Sequence, residues 1–409
     1  MRILFVTPYL PSLMRVRPFN FIKHLSDRHE VTLISLTQGD QSDADALHEL
    51  TRFCSGVYTL ELNKLKSFAN CCRRLLTPMP LQAAYTDMPL AKELVRQIAG
   101  SRPFDLLHVE HIRGAHLAEQ VTHIPKVFDA VDCITRLLKL RLNHEKSVFH
   151  RAVSAQELLK MKSYEPKTAS LFDNIVITSR RDKRALEALM RSYANGNGRK
   201  SSVTVVPNGV DCDYFQPSPN GKSSTIVFCG RMSYFANSSA AYRFYHEAFP
   251  YIKRACPDAR FRIVGSDPPD SIRKLAEDPS VEVTGYVPDI RPHLASAALA
   301  VCPLIVGVGI QNKVLEAMAM GKPVVATEVA CKGIPEIVDG EHFIKADDPI
   351  RTAGAAILLL DNPEYARRLG EHARRFAEDR YSWKSAVKQL EGIHMQAAGI
   401  GKERISAAA

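Results

Sequence analysis

Apolar positions in the first half of the chain fall into short runs divided by longer amphipathic stretches. Ile3–Thr7, Val31–Leu36, Gly56–Leu60, Leu106–Val109, Lys126–Ala130 and Asn174–Thr178 are such runs. Between the first two, Pro18–Ser26 places Phe19, Ile22 and Leu25 at helical spacing on one face. Short, largely apolar runs of this kind mark strands buried on both faces. Alternation with helices then predicts a parallel sheet covered on each side. The pattern restarts at Thr225–Cys229 and continues through Arg260–Gly265, Val281–Val283, Ala298–Pro303, Pro323–Thr327 and Gly340–Ile344. Helices are expected over Ser238–Ala255 and Lys313–Met320, and an amphipathic one from Tyr381 to Met395 around Trp383, Val387 and Leu390. The turn-rich Pro207-Asn-Gly-Val-Asp211, followed by Pro217 and Pro219, reads as a linker or hinge.

The expected fold class is therefore α/β: two Rossmann-like domains facing a cleft at the carboxyl ends of their strands, where open parallel sheets bind ligands. The expected boundaries are residues 1–206, residues 207–380, and a final segment 381–409 whose helix returns to the first domain. A length of 409 residues agrees, since single cores stop growing well below that size.

Composition narrows the class. Apolar residues make up 45% and charged residues 24%, as in ordinary globular chains, and no run of eighteen apolar residues occurs. The start, MRILFVTPYL, lacks the long apolar region and cleavage site of a signal peptide. Nine cysteines without a CxxC pair fit reduced, structural thiols. A cytoplasmic protein is expected. The net charge of +10 is uneven: Lys and Arg outnumber Asp and Glu by 30 to 20 over residues 1–200, and match them 24 to 24 beyond. One reading is an anionic partner for the first half, such as a lipid surface or a phosphorylated substrate; the other is a solvated basic face. Nucleic acid is set aside, because no aromatic platform or binding motif accompanies the charge. Asn63–Leu76 and Ile134–Arg151 interleave cations with leucines, so either could lie on an anionic membrane as an interfacial helix.

The stretch with the most chemistry runs from Gly307 to Thr327. A glycine-containing loop leaves a strand and enters a helix that Gly321 and Pro323 close. Glycines let backbone N–H groups approach a ligand, and a helix N-terminus favours an anion such as a diphosphate. Lys313 adds a point charge there, and Glu316 can accept hydrogen bonds from a ribose diol. A surface Lys and Glu on an ordinary helix is the alternative.

The unbroken Leu315-Glu-Ala-Met-Ala-Met-Gly-Lys-Pro-Val-Val-Ala326 resembles the signature of the retaining glycosyltransferases of family 4, which have the GT-B fold. Val206-Pro-Asn-Gly-Val-Asp-Cys-Asp-Tyr-Phe215 and Phe228-Cys-Gly-Arg-Met232 agree with that family in the right order. The resemblance implies a hexosyltransferase that moves a sugar from a nucleotide-diphosphate donor to a glycan, lipid-linked or other hydroxyl acceptor. It implies donor contacts from Gly230, Arg231, Tyr286, Gly309, Ile310, Lys313 and Glu316, with Arg231 and Lys313 on the diphosphate and Glu316 on the ribose. Details around Met232, Asn312 and Tyr164-Glu165 are more like a subgroup tied to bacterial exopolysaccharide synthesis.

Departures from the family pattern are as informative. Val308 stands where the family places a first Glu, and no Lys follows Gly230-Arg231 at the usual spacing. The first loop carries Met14-Arg-Val-Arg17 in place of Gly-Gly. Asp132, at the end of a strand, occupies roughly the place of a sugar-facing His, where a carboxylate can stabilise developing positive charge. Arg15, Arg17 and His111 are the acceptor-side candidates. No metal site is expected: Asp211-Cys-Asp213 has a metal motif's spacing but falls in the turn-rich linker. Transfer without a metal or other cofactor is the expectation, with helix dipole and cations stabilising the leaving diphosphate. Two other readings stand at this point: a nucleotide-sugar epimerase on the same fold, and a catalytically degenerate scaffold.

Overall fold

The computed structural model describes residues 1–12, 15–39, 41–144, 148–194, 201–218, 223–307 and 310–400. It separates into two compact units: Met1–Pro207 with the segment from Ala386 onward, and Asn208–Ser385.

The first unit holds β1 (Arg2–Thr7), β2 (Glu30–Thr37), β3 (Gly56–Glu61), β4 (Leu106–Glu110), β5 (Lys126–Val131), β6 (Asn174–Ile177) and β7 (Ser202–Val205). They form one parallel sheet in the order β3-β2-β1-β4-β5-β6-β7. Ile3, Leu4, Phe5 and Val6 are all fully buried, as both-face burial requires. The strand order reverses between β1 and β4, which makes their carboxyl ends the topological switch point. The terminal helix Trp383–Ala397 contributes Val387, Leu390 and the fully buried His394 to the core. His394 Nε2 lies 3.0 Å from Nδ1 of His108, and His108 stacks on Phe5. His108 is thus a core residue. Glu391 accepts from both Arg28 and His29 at 2.7 Å, tying the same helix to the turn before β2.

The second unit holds β8 (Thr225–Cys229), β9 (Arg260–Val264), β10 (Val281–Val283), β11 (Leu299–Cys302), β12 (Val324–Ala326) and β13 (Ile344–Lys345), parallel in the order β10-β9-β8-β11-β12-β13. Its switch point lies between β8 and β11. The segment around Pro207 is a close backbone crossing: Val210 bridges Ser382, and a Cβ on Gly209 would stand 2.6 Å from Trp383 N. Glycine is required there by space alone.

Three elements differ from expectation. The long helix expected over Ser238–Ala255 is Phe235–Arg243, a π-turn Phe244–Ala248, and Phe249–Ala255. Pro250 follows the π-turn; it has no N–H to donate and its ring crowds the preceding turn, so the ladder widens just before it. The strand expected at Gly340–Ile344 is displaced to Ile344–Lys345, because Gly340 takes a turn at φ +77°. Strand β7 has no counterpart in the expected pattern; it is four residues at the sheet edge and only one of its side chains, Val203, is buried.

Candidate active site

In the second unit, the carboxyl ends of β8 and β9 meet as bare backbone. A Cβ on Gly265 would lie 1.8 Å from the Gly230 carbonyl oxygen, so neither chain could approach the other with a larger residue. Gly230 N–H donates to Val264 O, Gly265 N–H to Gly285 O, and Met232 N–H to Ser266 O, all at 2.9–3.1 Å. Gly285 turns the next loop at φ +69° and presents Tyr286 to solvent. Beside this platform begins the helix Asn312–Ala319. Val314, Leu315, Ala317 and Met318 fix it in the core, and its N-cap, Gln311, makes no side-chain cap. The first N–H groups therefore stand ready for an anion.

These elements enclose a cavity of about 420 Å³. Gly230, Arg231, Tyr286, Ile310, Lys313 and Glu316 all line it. The structure thus brings together every donor-side residue singled out from the sequence except Gly309, which, with Val308, lies outside the described residues. Arg231 is mostly exposed, with its Nε 3.0 Å from Ser233 Oγ and 3.5 Å from Asp267. Lys313 Nζ donates to Asn237 Oδ1 at 2.8 Å and stands over the Phe228 ring at 5.6 Å. Glu316, three residues on, shares that helix face. Burial pushes its carboxyl up to about 7, against the pull of Lys313.

Asn237 carries a lesson for the departure noted after Gly230-Arg231. The neighbourhood that lacks a Lys is filled by buried Ala236 and by Asn237, which lines the cavity and holds Lys313. The cation arrives from the other helix. Asn237 was missed as a site residue because its partner is 76 positions away.

The first unit's switch point is built differently. Glu110 and Asp129 are register partners at the ends of β4 and β5. Arg17, only 4% exposed, grips Asp129 with two nitrogens at 2.7 and 3.2 Å. Its guanidinium faces the interior, so it organises the site from within and is not presented to an acceptor. Tyr9 donates to Glu110 Oε1 at 3.1 Å, while Glu110 Oε2 meets no partner among the described residues. Burial, with Asp129 alongside, pushes the Glu110 carboxyl up to about 8. Arg15 lies over the Tyr9 ring at 4.7 Å and donates to Leu10 O, remaining partly exposed. His111 packs edge-on to Tyr9, and burial pushes its imidazole down to about 4, so it is neutral at physiological pH. Asp132 accepts from Thr178 Oγ1 at 3.3 Å; burial, then neighbouring Asp182, raises its pKa.

Backbone strain gathers at strand ends beside both sites. Among the described residues the non-glycines with positive φ are His111, Val131 and Asp267, at the carboxyl ends of β4, β5 and β9. For β-branched Val131 this is a genuine outlier. Asp132 N–H closes on Ala130 O at 2.8 Å around it, a γ-turn of the rare positive-φ form, and re-aims the Asp132 side chain. Glu110, Asp129 and Tyr9 carry no role assigned from sequence: with Arg17 they cluster only once four separate segments converge. Among the described residues no group of three His, Cys, Asp or Glu could hold a metal ion.

Residues 223–362 match the family model described as glycosyl transferases group 1. Relatives include a GDP-mannose-dependent alpha-(1-6)-phosphatidylinositol monomannoside mannosyltransferase of Mycolicibacterium smegmatis, 28% identical over 48% of this chain and 57% of its own. An MMP alpha-(1->4)-mannosyltransferase of Mycolicibacterium hassiacum is 28% identical over 47% and 48%. The chain spans about half the length of the curated relatives it matches. Over nearly the whole chain, the fold is that of Anabaena HepE in complex with UDP, with TM-score 0.65, 15% identity and coverage of 96% and 99%. TarM aligns equally well, at TM-score 0.65, 11% identity and the same coverage. The matched stretch contains every donor-cavity residue described above, and the chain accordingly carries a glycosyl transferases group 1 domain on a GT-B fold.

Proposed function

We propose that the protein is a hexosyltransferase, moving a sugar from a nucleotide-diphosphate donor to a glycan or lipid-linked hydroxyl with retention of configuration, in polysaccharide or glycoconjugate synthesis. The observation that carries this reading is the single cavity in which Gly230, Arg231, Tyr286, Lys313 and Glu316 converge at the second switch point. The diphosphate sits at the open start of helix Asn312–Ala319, with Lys313 and Arg231 neutralising charge as it leaves. Glu316, as a carboxylate, accepts from the ribose diol, and Tyr286 offers a face to the base. That relatives bear mannosyltransferase names and that HepE holds UDP both favour a nucleotide sugar over a free nucleotide.

In the first unit we assign Asp132 to steadying positive charge that develops in the transferred sugar, with Arg15 and His111 on the acceptor side. The leaving group is stabilised by helix and cations, so we read transfer as metal-independent: EDTA should leave the rate unchanged. The basic first half supports a position at the cytoplasmic face of an anionic membrane. A panel of nucleotide-diphosphate sugars tested by thermal shift identifies the donor, since a ligand bound only by the folded state raises the melting point. Glu316→Ala should lose both that shift and turnover; retention of both would overturn the reading.

A further inference from the structure

The helix Lys64–Arg74 is built inside out. Its inward face is polar: Ser67 is buried, Asn70 Nδ2 donates to Asp87 O at 2.9 Å, and Arg74 pairs with Asp87 at 3.2 Å. Its outward face is apolar. Leu65 and Phe68 are 82% and 69% exposed, and Leu76, just past the last turn, is 94% exposed. Positions 65, 68, 72 and 76 share one helical face, so these side chains form a stripe and not a scatter. A helix in water normally shows the reverse arrangement, and an exposed apolar stripe of this kind marks a docking surface.

Charge identifies what docks. On the exposed side stand Lys64, Lys66 and Arg73, with no Asp or Glu between residues 62 and 86, while Arg74 is paired with Asp87. The long helix Val148–Ala169 braces the end of this helix, with Gln156 donating to Leu75 O and Lys160 to Arg74 O, and its own Leu159 is exposed as well. A second copy of the chain would bring like charge against like charge. An anionic lipid surface instead meets apolar side chains with its acyl boundary and cations with its headgroups. The other basic stretch does not compete. In helix Ile134–His144, Leu138 is buried and Leu137, Leu140 and Leu142 are partly covered, leaving no outward stripe.

We propose that the outward face of Lys64–Leu76 is the surface by which this protein lies on anionic lipid bilayers. This deepens the membrane placement given above and rests on it, independently of the transfer chemistry. The test is co-sedimentation of the full chain with vesicles of phosphatidylcholine alone and of phosphatidylcholine mixed with phosphatidylglycerol. Wild type should bind the mixed vesicles and release with salt. Leu65→Gln/Phe68→Gln should weaken partitioning by about tenfold. Lys66→Gln/Arg73→Gln should weaken it by about thirtyfold on the mixed vesicles. All four side chains are exposed, so unchanged melting points confirm that the variants fold. Binding that survives both double variants but falls in Lys139→Gln/Arg141→Gln overturns this surface and leaves the membrane placement standing. Wild type that ignores lipid composition overturns both. Wild type that instead dimerises, with Leu65→Gln/Phe68→Gln dispersing the dimer, makes the stripe a self-interface and overturns the lipid assignment.

Discussion

The two switch points solve opposite problems with opposite materials. At the end of β8 and β9 the chain removes side chains: Gly230 and Gly265 let two backbones close to contact, and an uncapped helix supplies N–H groups. At the end of β4 and β5 it buries charge: Arg17, Asp129, Glu110 and Tyr9 interlock beneath a strained turn. Backbone groups carry fixed dipoles and cost no protonation equilibrium, which suits a diphosphate of constant charge. Side-chain charge in a low-dielectric setting holds a geometry firmly, and makes it sensitive to pH and to loss of any one partner.

That contrast can be broken at four places. Asp129→Ala would leave Arg17 buried without its carboxylate, so the first unit should lose about 3–5 kcal/mol, read from the denaturant midpoint; a loss under about 1 kcal/mol would mean water replaces the partner. Gly265→Ala drives a methyl into the Gly230 carbonyl. It should cost about 3 kcal/mol and abolish donor binding, whereas Gly230→Ala, strained at φ +158° but meeting first the side chains of Asn237 and Lys313 and not backbone, should cost less.

Glu316→Gln should weaken donor binding by about 2 kcal/mol, roughly thirtyfold, as loss of charge-assisted hydrogen bonds does. In the wild type the ionised carboxylate is the binding form, so affinity should fall as pH drops through about 7, and Glu316→Gln should flatten that profile. Titration calorimetry across pH decides it. Glu110 has the smallest effect at neutral pH. Its folded pKa is raised to about 8, so the native state binds the extra proton, and stability declines as pH rises from the ordinary carboxylate range toward 8. The slope from one such proton is about 1.4 kcal/mol per pH unit. Glu110→Gln, which mimics the protonated form, should remove that slope in urea melts.

The same contrast explains what could be read without a structure. The donor cavity takes its helix, its Lys313–Glu316 face and its Gly230–Arg231 turn from short contiguous stretches, and each leaves a local mark. Both sheets were readable for the same reason: β1, β2 and β8 are short, largely apolar runs. The pairs Arg17–Asp129 and Tyr9–Glu110 span 112 and 101 residues, and no spacing rule links such positions. Arg17 looked like a free cation because sequence does not reveal which side of a loop faces the core. Strand β7 escaped because an edge strand of four residues has little hydrophobic pattern to show.

One cysteine offers a practical handle. Cys72 alone among the nine is exposed, and it lies in the middle of the apolar stripe on Lys64–Arg74. Its buried counterparts have thiols raised by burial, as in Cys133, Cys302 and Cys331, and are slow to react. A polarity-sensitive maleimide dye should therefore label Cys72 ahead of the half-buried Cys54, Cys71, Cys212 and Cys256, whose thiols burial also raises, and its emission would report how deeply the stripe leaves water.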